Sequence, residues 1–408
     1  MKRRVVVTGM GLISSIGSSV DEVANALFRG RSGIVFCSEY AEMGMASHIA
    51  GNLPDPKEMI GNKRTTRFMS MGAAFAYLAM QQAINDSGLS EKDVSNSRTG
   101  LIVGTGGGSP ADSVFVADTL RNKGFKKVLP TLVPRCMDSS PSANLSVLFS
   151  TKGVSFSIAS ACATSAHCIG EAWEKIVFGK QEVMFAGGSD EKDWIIASTF
   201  DRAGALSRRN DAPERASRPY DKDRDGFVMA GGGGVIVLEE LNHALERNGE
   251  IHAEIIGYGT TSDGLSMTQP SEKGTARCMR QALEVASLNS KSVNYINTHG
   301  TSTPAGDIVE LKAIKKVFGN NIPFISSTKS MTGHGLGAAG AHELIFSIIM
   351  MQRGFIAPSI NIENLDTDAK NFPIITETME NYAPEIVMSN SFGFGGTNVT
   401  LIVKRYAN

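Results

Sequence analysis

Cys162, His167 and Cys168 crowd into the stretch SACATSAHC, residues 160–168. Three such side chains suggest a metal site, a disulfide or a reactive thiol. The run before them, Val154 to Ile158, alternates and is β-branched, while apolar residues at 162, 166, 169, 173 and 176/177 repeat with the period of a buried helix. For a helix opening at Cys162, His167 falls about 140° and Cys168 about 240° around the axis, with roughly 9 Å of rise between the two cysteines. They do not converge on one metal, and the thiols do not bridge. What remains is a lone thiol near a helix N-terminus, where free N–H groups and the helix dipole are expected to lower its pKa. Most buried cysteines are only small core residues, so Cys162 needs partners.

Those partners lie in the second half of the chain. VNYINTHGTSTPAGD (293–307) is an apolar strand running into His299, which is flanked by Gly300 and the hydroxyls of Thr298, Thr301, Ser302 and Thr303. PFISSTKSMTGHGLGAAGAHELIFSIIMM (323–351) is a second strand, then a polar loop with Lys329 and His334, then a helix whose small-residue start predicts burial. Both histidines follow strands, and ligand sites of α/β proteins gather at strand C-terminal ends. A third glycine-rich turn, SNSFGFGGTN (389–398), lies between the strands EIVM and VTLIV. Its backbone N–H groups can serve an oxyanion.

These residues must be positioned by a layered α/β protein, because strands alternate with helices along the chain. The chain also repeats. HAEIIGYGTTSDG resembles RRVVVTGMGLISS at an offset of 248, and ALEVASLNSKSV resembles AINDSGLSEKDV at an offset of 199. The difference reads as extra material in the first of two duplicated halves, 1–250 and 251–408, the first carrying the thiol and the second both histidines. Other motifs are weaker. VVVTGMGLISS lacks the third glycine of a dinucleotide fingerprint. GTGGGSPAD and AGGGG do not continue as a Walker lysine motif and read as tight turns. RPYDKDRDG (218–226) mixes both charge signs and is expected to be a solvated or salt-bridged loop, with Asp225 a candidate brace for a neighbouring site.

A net charge of −1 argues against a dedicated nucleic-acid binder. Five cysteines, odd in number and without a CxxC, argue against a disulfide scaffold or zinc ribbon and fit a reducing cytoplasm. The basic start MKRR meets a glycine-rich turn before a signal-peptide core is complete, and no apolar run reaches membrane-spanning length.

Taken together, Cys162 in SACATSA, His299 in NTHGTSTPAGD, Lys329 and His334 in TKSMTGHGLGAAG, and the FGFGGTN turn resemble the signatures of the β-ketoacyl-acyl carrier protein synthases, the condensing enzymes of dissociated fatty acid synthesis. The likeness spans essentially the whole chain, and ACATSAHCIG with an unbroken RDGFVMAGGGG is similar to the type I members. It implies a thiolase-like αβαβα sandwich of two duplicated halves, commonly a homodimer, working without metal or organic cofactor. It implies Cys162 as nucleophile, the backbone N–H groups of Cys162 and Phe394 as oxyanion hole, and His299 and His334 as donors to the enolate left by malonyl decarboxylation. Lys329, paired with Glu343, would set the local field, with Asp307 also in support. Thr301 and Thr303 would hold the pantetheine arm, and Phe392 and Phe394 resemble an aromatic gate. Alternatives are a type II or polyketide-type condensing enzyme, a thioester hydrolase, and an inactive partner subunit. The last usually lacks the cysteine.

The implied partner is acyl carrier protein, whose family is acidic. Two basic clusters stand out: Lys63, Arg64 and Arg67 in NKRTTRF, and Arg121, Lys123, Lys126 and Lys127 in RNKGFKK. The first matches the basic stretch with which type I synthases dock the carrier; the second is similar in placement.

Overall fold

The computed structural model describes residues 3–407. Its framework is ten strands: β1 (Val5–Ile13), β2 (Thr99–Gly104), β3 (Ser155–Phe156), β4 (Val183–Asp190), β5 (Gly232–Glu240), β6 (Ala253–Ser262), β7 (Tyr295–Asn297), β8 (Phe324–Ser326), β9 (Ile386–Gly393) and β10 (Thr397–Lys404). The spatial order is β3-β2-β4-β5-β1-β6-β10-β9-β7-β8. The first five strands thus run 1-5-4-2-3 outward from the centre and the last five run 6-10-9-7-8, the same order five strands on. The two sheets join edge to edge where β1 meets β6 antiparallel, with Val5, Val6 and Val7 opposite Ile255, Glu254 and Ala253.

Six helices complete five layers: α1 (Met71–Ser87), α2 (Ser140–Leu148), α3 (Thr164–Val177), α4 (Glu272–Val285), α5 (Gly306–Phe318) and α6 (Ala339–Arg353). Helices α1 and α2 cover the first sheet, α4 and α5 the second, while α3 and α6 pack on each other and touch strands of both sheets. A helix between two sheets has no solvated face, so every residue of α6 from Ala339 to Met351 is buried. This is the thiolase-like αβαβα sandwich.

The two sequence offsets recur as contacts. A Cβ on Gly9 would stand 2.3 Å from the Ala83 carbonyl oxygen and one on Gly11 2.0 Å from that of Ala79. In the second half, Gly257 would meet Ala282 O at 2.6 Å and Gly259 Cys278 O at 2.3 Å. The glycines differ by 257 − 9 = 248 and the alanines by 282 − 83 = 199. Each glycine pair lets an outer helix lie directly on its strand, which any side chain there would prevent.

The alternating run at 154–158 supplies only the two-residue edge strand β3, both of whose residues are exposed. The charged run at 218–226 is salt-bridged and only partly solvated: Lys222, Asp223 and Asp225 are exposed, whereas Arg218 is 1% exposed and Arg224 7%. Arg218 pairs with Asp221, and Arg224 with Asp307 and Asp366. Periodicity does not distinguish a paired buried charge from a hydrated one. Among the described residues no helix is long and apolar enough to cross a membrane.

Candidate active site

Both middle helices begin abruptly. A 3-10 turn, Ala161–Ala163, precedes α3, and another, Leu336–Ala338, precedes α6, and neither helix has a side-chain N-cap. Ala161 at φ 49° and Leu336 at φ 51° are both left-handed, a conformation costly for residues with a Cβ. Such strain persists only where surrounding structure imposes it, and it clusters at functional sites. Cys162 therefore sits in the turn ahead of α3 rather than opening it, next to the forced residue. His167 points elsewhere: its Nδ1 bonds Ser160 Oγ and its Nε2 bonds Thr260 Oγ1, each at 2.8 Å. Cys168 is a buried free thiol.

The two distant histidines converge on Cys162. The Cys162 sulfur and one nitrogen from each of His299 and His334 lie within 4.8 Å of one another. The two imidazoles meet edge to face, centroids 5.3 Å apart, and His299 also abuts Phe392 at 6.1 Å. His334 Nδ1 accepts the backbone N–H of Leu336 at 3.2 Å, which leaves the ring proton on Nε2, an atom with no protein partner. Protonated Nε2 has no lone pair to offer a metal. His334 is thereby set to donate a hydrogen bond into the site.

His299 is held from behind by an acid. Glu310 accepts the backbone N–H of His299 at 3.0 Å and of Gly300 at 2.9 Å, and Asn390 Nδ2 at 3.0 Å. Burial pushes its carboxyl up to about 6 against those bonds. Lys329 and Glu343 form a fully buried ion pair. Burial raises Glu343 to about 7, and the Lys329 charge opposes the rise. Burial, then the Lys329 ammonium, holds both histidines well below their ordinary value, so both are neutral imidazoles.

The thiol departs from the expected direction. Burial pushes Cys162 up to about 12, outweighing the Lys329 charge and the N–H groups of Phe394 and of Cys162 itself. The end of β9 lies against this turn: a Cβ on Gly393 would stand 3.3 Å from Cys162 N.

These groups open on a cavity of about 570 Å³. Thr301 and Thr303 line one wall, their hydroxyls 3.1 Å apart. Phe392 is buried beside His299, whereas Phe394 is 44% exposed and leans on Phe200. Asp307 stands behind the threonine loop, accepting the N–H groups of Ser302 and Tyr220, each at 3.1 Å. Asp225 does not reach the cavity; it accepts Arg208 N–H at 2.9 Å at the surface. The basic residues Lys63, Arg64, Arg67, Lys123, Lys126 and Lys127 are all exposed and none lines the cavity.

Family models match both halves: "Beta-ketoacyl synthase, N-terminal domain" over residues 2–244 and "Beta-ketoacyl synthase, C-terminal domain" over 252–363. The chain belongs to the β-ketoacyl synthase family. It is 55% identical over 407 residues to 3-oxoacyl-acyl-carrier-protein synthase 1 of Haemophilus influenzae, covering 99% of each chain. It is 52% identical over 406 residues to the protein of the same name from Escherichia coli, again covering 99% of each. Among solved structures, a β-ketoacyl synthase from Burkholderia phymatum superposes with a TM-score of 0.92 at 36% identity over the whole of both chains.

Sequence reasoning missed two carboxylates of this synthase site, Glu310 and Asp190. Asp190 ends β4 and accepts the N–H groups of Gly106 at 3.1 Å and Gly337 at 2.6 Å, together with Thr105 Oγ1 at 2.7 Å. It thereby ties the glycine loop of one half to the turn after His334 in the other. A signal existed for Glu310: GDIVELKAI puts two acids three residues apart on the face that also carries Leu311 and Ile314. Acids on the buried face of a helix are rarely there without a partner.

Proposed function

We propose that this chain catalyses the decarboxylative condensation that lengthens a fatty acyl chain by two carbons, as a 3-oxoacyl-acyl-carrier-protein synthase of type I. The observation that carries this reading is the convergence of one thiol and two neutral imidazoles, Cys162 and His334 ahead of two uncapped helices and His299 just past β7. In the first step the Cys162 sulfur adds to an acyl thioester on carrier protein. The backbone N–H groups of Cys162 and Phe394 stabilise the oxyanion, and the carrier leaves as its thiol, taking the proton. Malonyl-carrier protein follows. Loss of CO2 places negative charge on the thioester oxygen, where His299 and His334 donate hydrogen bonds. The carbanion then attacks the acyl carbon, freeing Cys162 and giving the 3-oxoacyl product. Lys329, ion-paired with Glu343, acts through its field: it adds to burial in keeping both histidines neutral and favours the thiolate. Thr301 and Thr303 hold the pantetheine arm, with Phe392 and Phe394 as the aromatic gate and Asp307 in support.

The names of the relatives from Haemophilus influenzae and Escherichia coli, both above 50% identity, favour the type I reading over the type II and polyketide alternatives. They also favour acyl carrier protein as partner, with Lys63, Arg64, Arg67, Lys123, Lys126 and Lys127 as docking residues. The halves divide at 1–250 and 251–408. A homodimer fits the free edge of β3 and the exposed Phe115, Phe125, Val133, Val147 and Phe156, since an open edge beside apolar surface invites pairing with a second copy. Five unbridged cysteines suit the cytoplasm.

The test is a product profile by mass spectrometry, with purified protein, malonyl-carrier protein and a ladder of saturated and unsaturated acyl-carrier proteins. Products two carbons longer support the reading; free acid in their place would mean a thioester hydrolase.

A further inference from the structure

The charged run RPYDKDRDG has no part in the chemistry above, yet both its arginines are buried and it grips the loop bearing Thr301 and Thr303. Ser302, between those threonines, has φ 70°. A serine held there costs on the order of 1–3 kcal/mol unless its surroundings impose the conformation. The surroundings do so from three sides. Ser302 Oγ accepts Arg218 N–H at 2.9 Å, its carbonyl accepts Gly226 N–H at 3.2 Å, and its own N–H goes to Asp307 at 3.1 Å. Asp307 is fixed in turn by Tyr220 N–H.

Arg224 completes the grip. Its Nε donates to Thr303 O at 3.0 Å and its Nη2 to Pro304 O at 2.7 Å, while Nη1 reaches Asp221 O and Asp366 Oδ2, both at 2.7 Å. One guanidinium thus occupies four acceptors, two of them carbonyls of the loop itself. No lysine reproduces this, because an ammonium lacks the planar fork and the Nε donor. Arg218 and Arg224 belong to the first half of the chain and Thr301–Pro304 to the second, so the grip crosses between the halves.

We propose that Arg224 is a positioning residue for the pantetheine-bearing substrates: through the carbonyls of Thr303 and Pro304 it holds the Thr301–Thr303 wall in its binding conformation. This rests on the reading that Thr301 and Thr303 contact the pantetheine arm. The thiol, the histidines and Lys329 make no contact with Arg224, so loss of its fork is felt in binding more than in chemistry.

The test compares Arg224→Lys, Arg224→Ala and Thr303→Val, using an acyl-pantetheine thioester as substrate and iodoacetamide, which has no pantetheine, as a probe of Cys162. Arg224→Lys is expected to raise KM for the thioester about 5–10-fold with kcat within about twofold of wild type, and to leave the alkylation rate of Cys162 unchanged. Arg224→Ala should do the same more strongly; should it not fold, Arg224→Lys, which keeps a cation beside Asp221 and Asp366, still decides. An unchanged KM in Arg224→Lys alongside a raised KM in Thr303→Val overturns the role of Arg224 alone. An unchanged KM in both overturns the assignment of the threonine wall, and this inference with it. A fall in kcat and in alkylation together would make Arg224 a general support of the site and overturn a positioning role.

Discussion

His334 Nδ1 takes the backbone N–H of Leu336 at 3.2 Å, and this one bond decides the tautomer of the ring. With Nδ1 occupied the proton stays on Nε2, so the neutral imidazole is a donor aimed into the site and has no free base to offer there. His334→Ala should therefore lose malonyl decarboxylation by about 100-fold or more, the scale of removing one preorganised oxyanion donor. His299→Ala should do likewise. Acylation of Cys162 should survive better in both, as followed by mass spectrometry of the acyl-enzyme. An equally large loss of acylation would make a histidine the base for the thiol.

Burial pushes the Cys162 thiol up to about 12. Below such a pKa the thiolate fraction grows about tenfold per pH unit, and the thiolate is the reactive form. The rate of Cys162 alkylation by iodoacetamide should accordingly climb by about that factor per unit from pH 7 to 9, without levelling. Lys329→Ala should lower the whole curve, since its charge favours the anion. A plateau already near pH 7 would mean that the N–H groups and Lys329 outweigh burial in solution.

Removal of the thiol separates the two half-reactions. Cys162→Ala should abolish condensation, because no acyl-enzyme forms. In Cys162→Gln the amide imitates the acyl-thioester, and malonyl decarboxylation should continue without product. Chain elongation by Cys162→Ala would overturn the assignment of the nucleophile.

Much of this architecture was legible because it is carried by local pattern. Apolar strands ending in glycine and hydroxyls pointed to His299 and His334, and the glycine pairs at 9/11 and 257/259 exposed the duplication. What escaped acts through the backbone or through enclosure. Asp190 grips N–H groups, which leaves no side-chain motif to read, and Glu310 shows only as an acid on the apolar face of its helix. In RPYDKDRDG the pair Arg218–Asp221 is local, but the other acids that meet Arg218 and Arg224, namely Asp307, Glu363 and Asp366, lie 80 or more positions away, so the burial of both arginines was not legible. The direction of the Cys162 shift was misread for the same reason: a helix start is local and visible, whereas desolvation belongs to the assembled cavity.

The buried pair Lys329–Glu343 predicts a stability pattern of its own. Removing one member strands a buried charge, at a cost of about 3–5 kcal/mol, whereas replacing both with apolar residues is often close to neutral. Glu343→Leu should thus lower Tm clearly, and adding Lys329→Met should recover most of the loss while leaving condensation impaired. A double variant no more stable than the single would show that neighbours such as Glu310 compensate Lys329 already.

Lys63, Arg64 and Arg67 lie on an exposed short helix and the residue after it, apart from the cavity lining. Arg67 is steadied over the Phe68 ring at 4.5 Å. Steering by exposed charge acts on the association rate and is screened over a Debye length of about 8 Å at physiological ionic strength. Reversing all three to glutamate should raise KM for acyl-carrier protein and flatten its dependence on salt. The Asn62 cap, whose side chain accepts Arg64 and Thr65 N–H, is untouched by the change, so the short helix should keep its start. Activity with acyl-coenzyme A or pantetheine thioesters, which lack the acidic carrier surface, should fall much less. An equal loss with both kinds of substrate would assign the cluster to the fold or the active site, and docking would have to be sought at Lys123, Lys126 and Lys127.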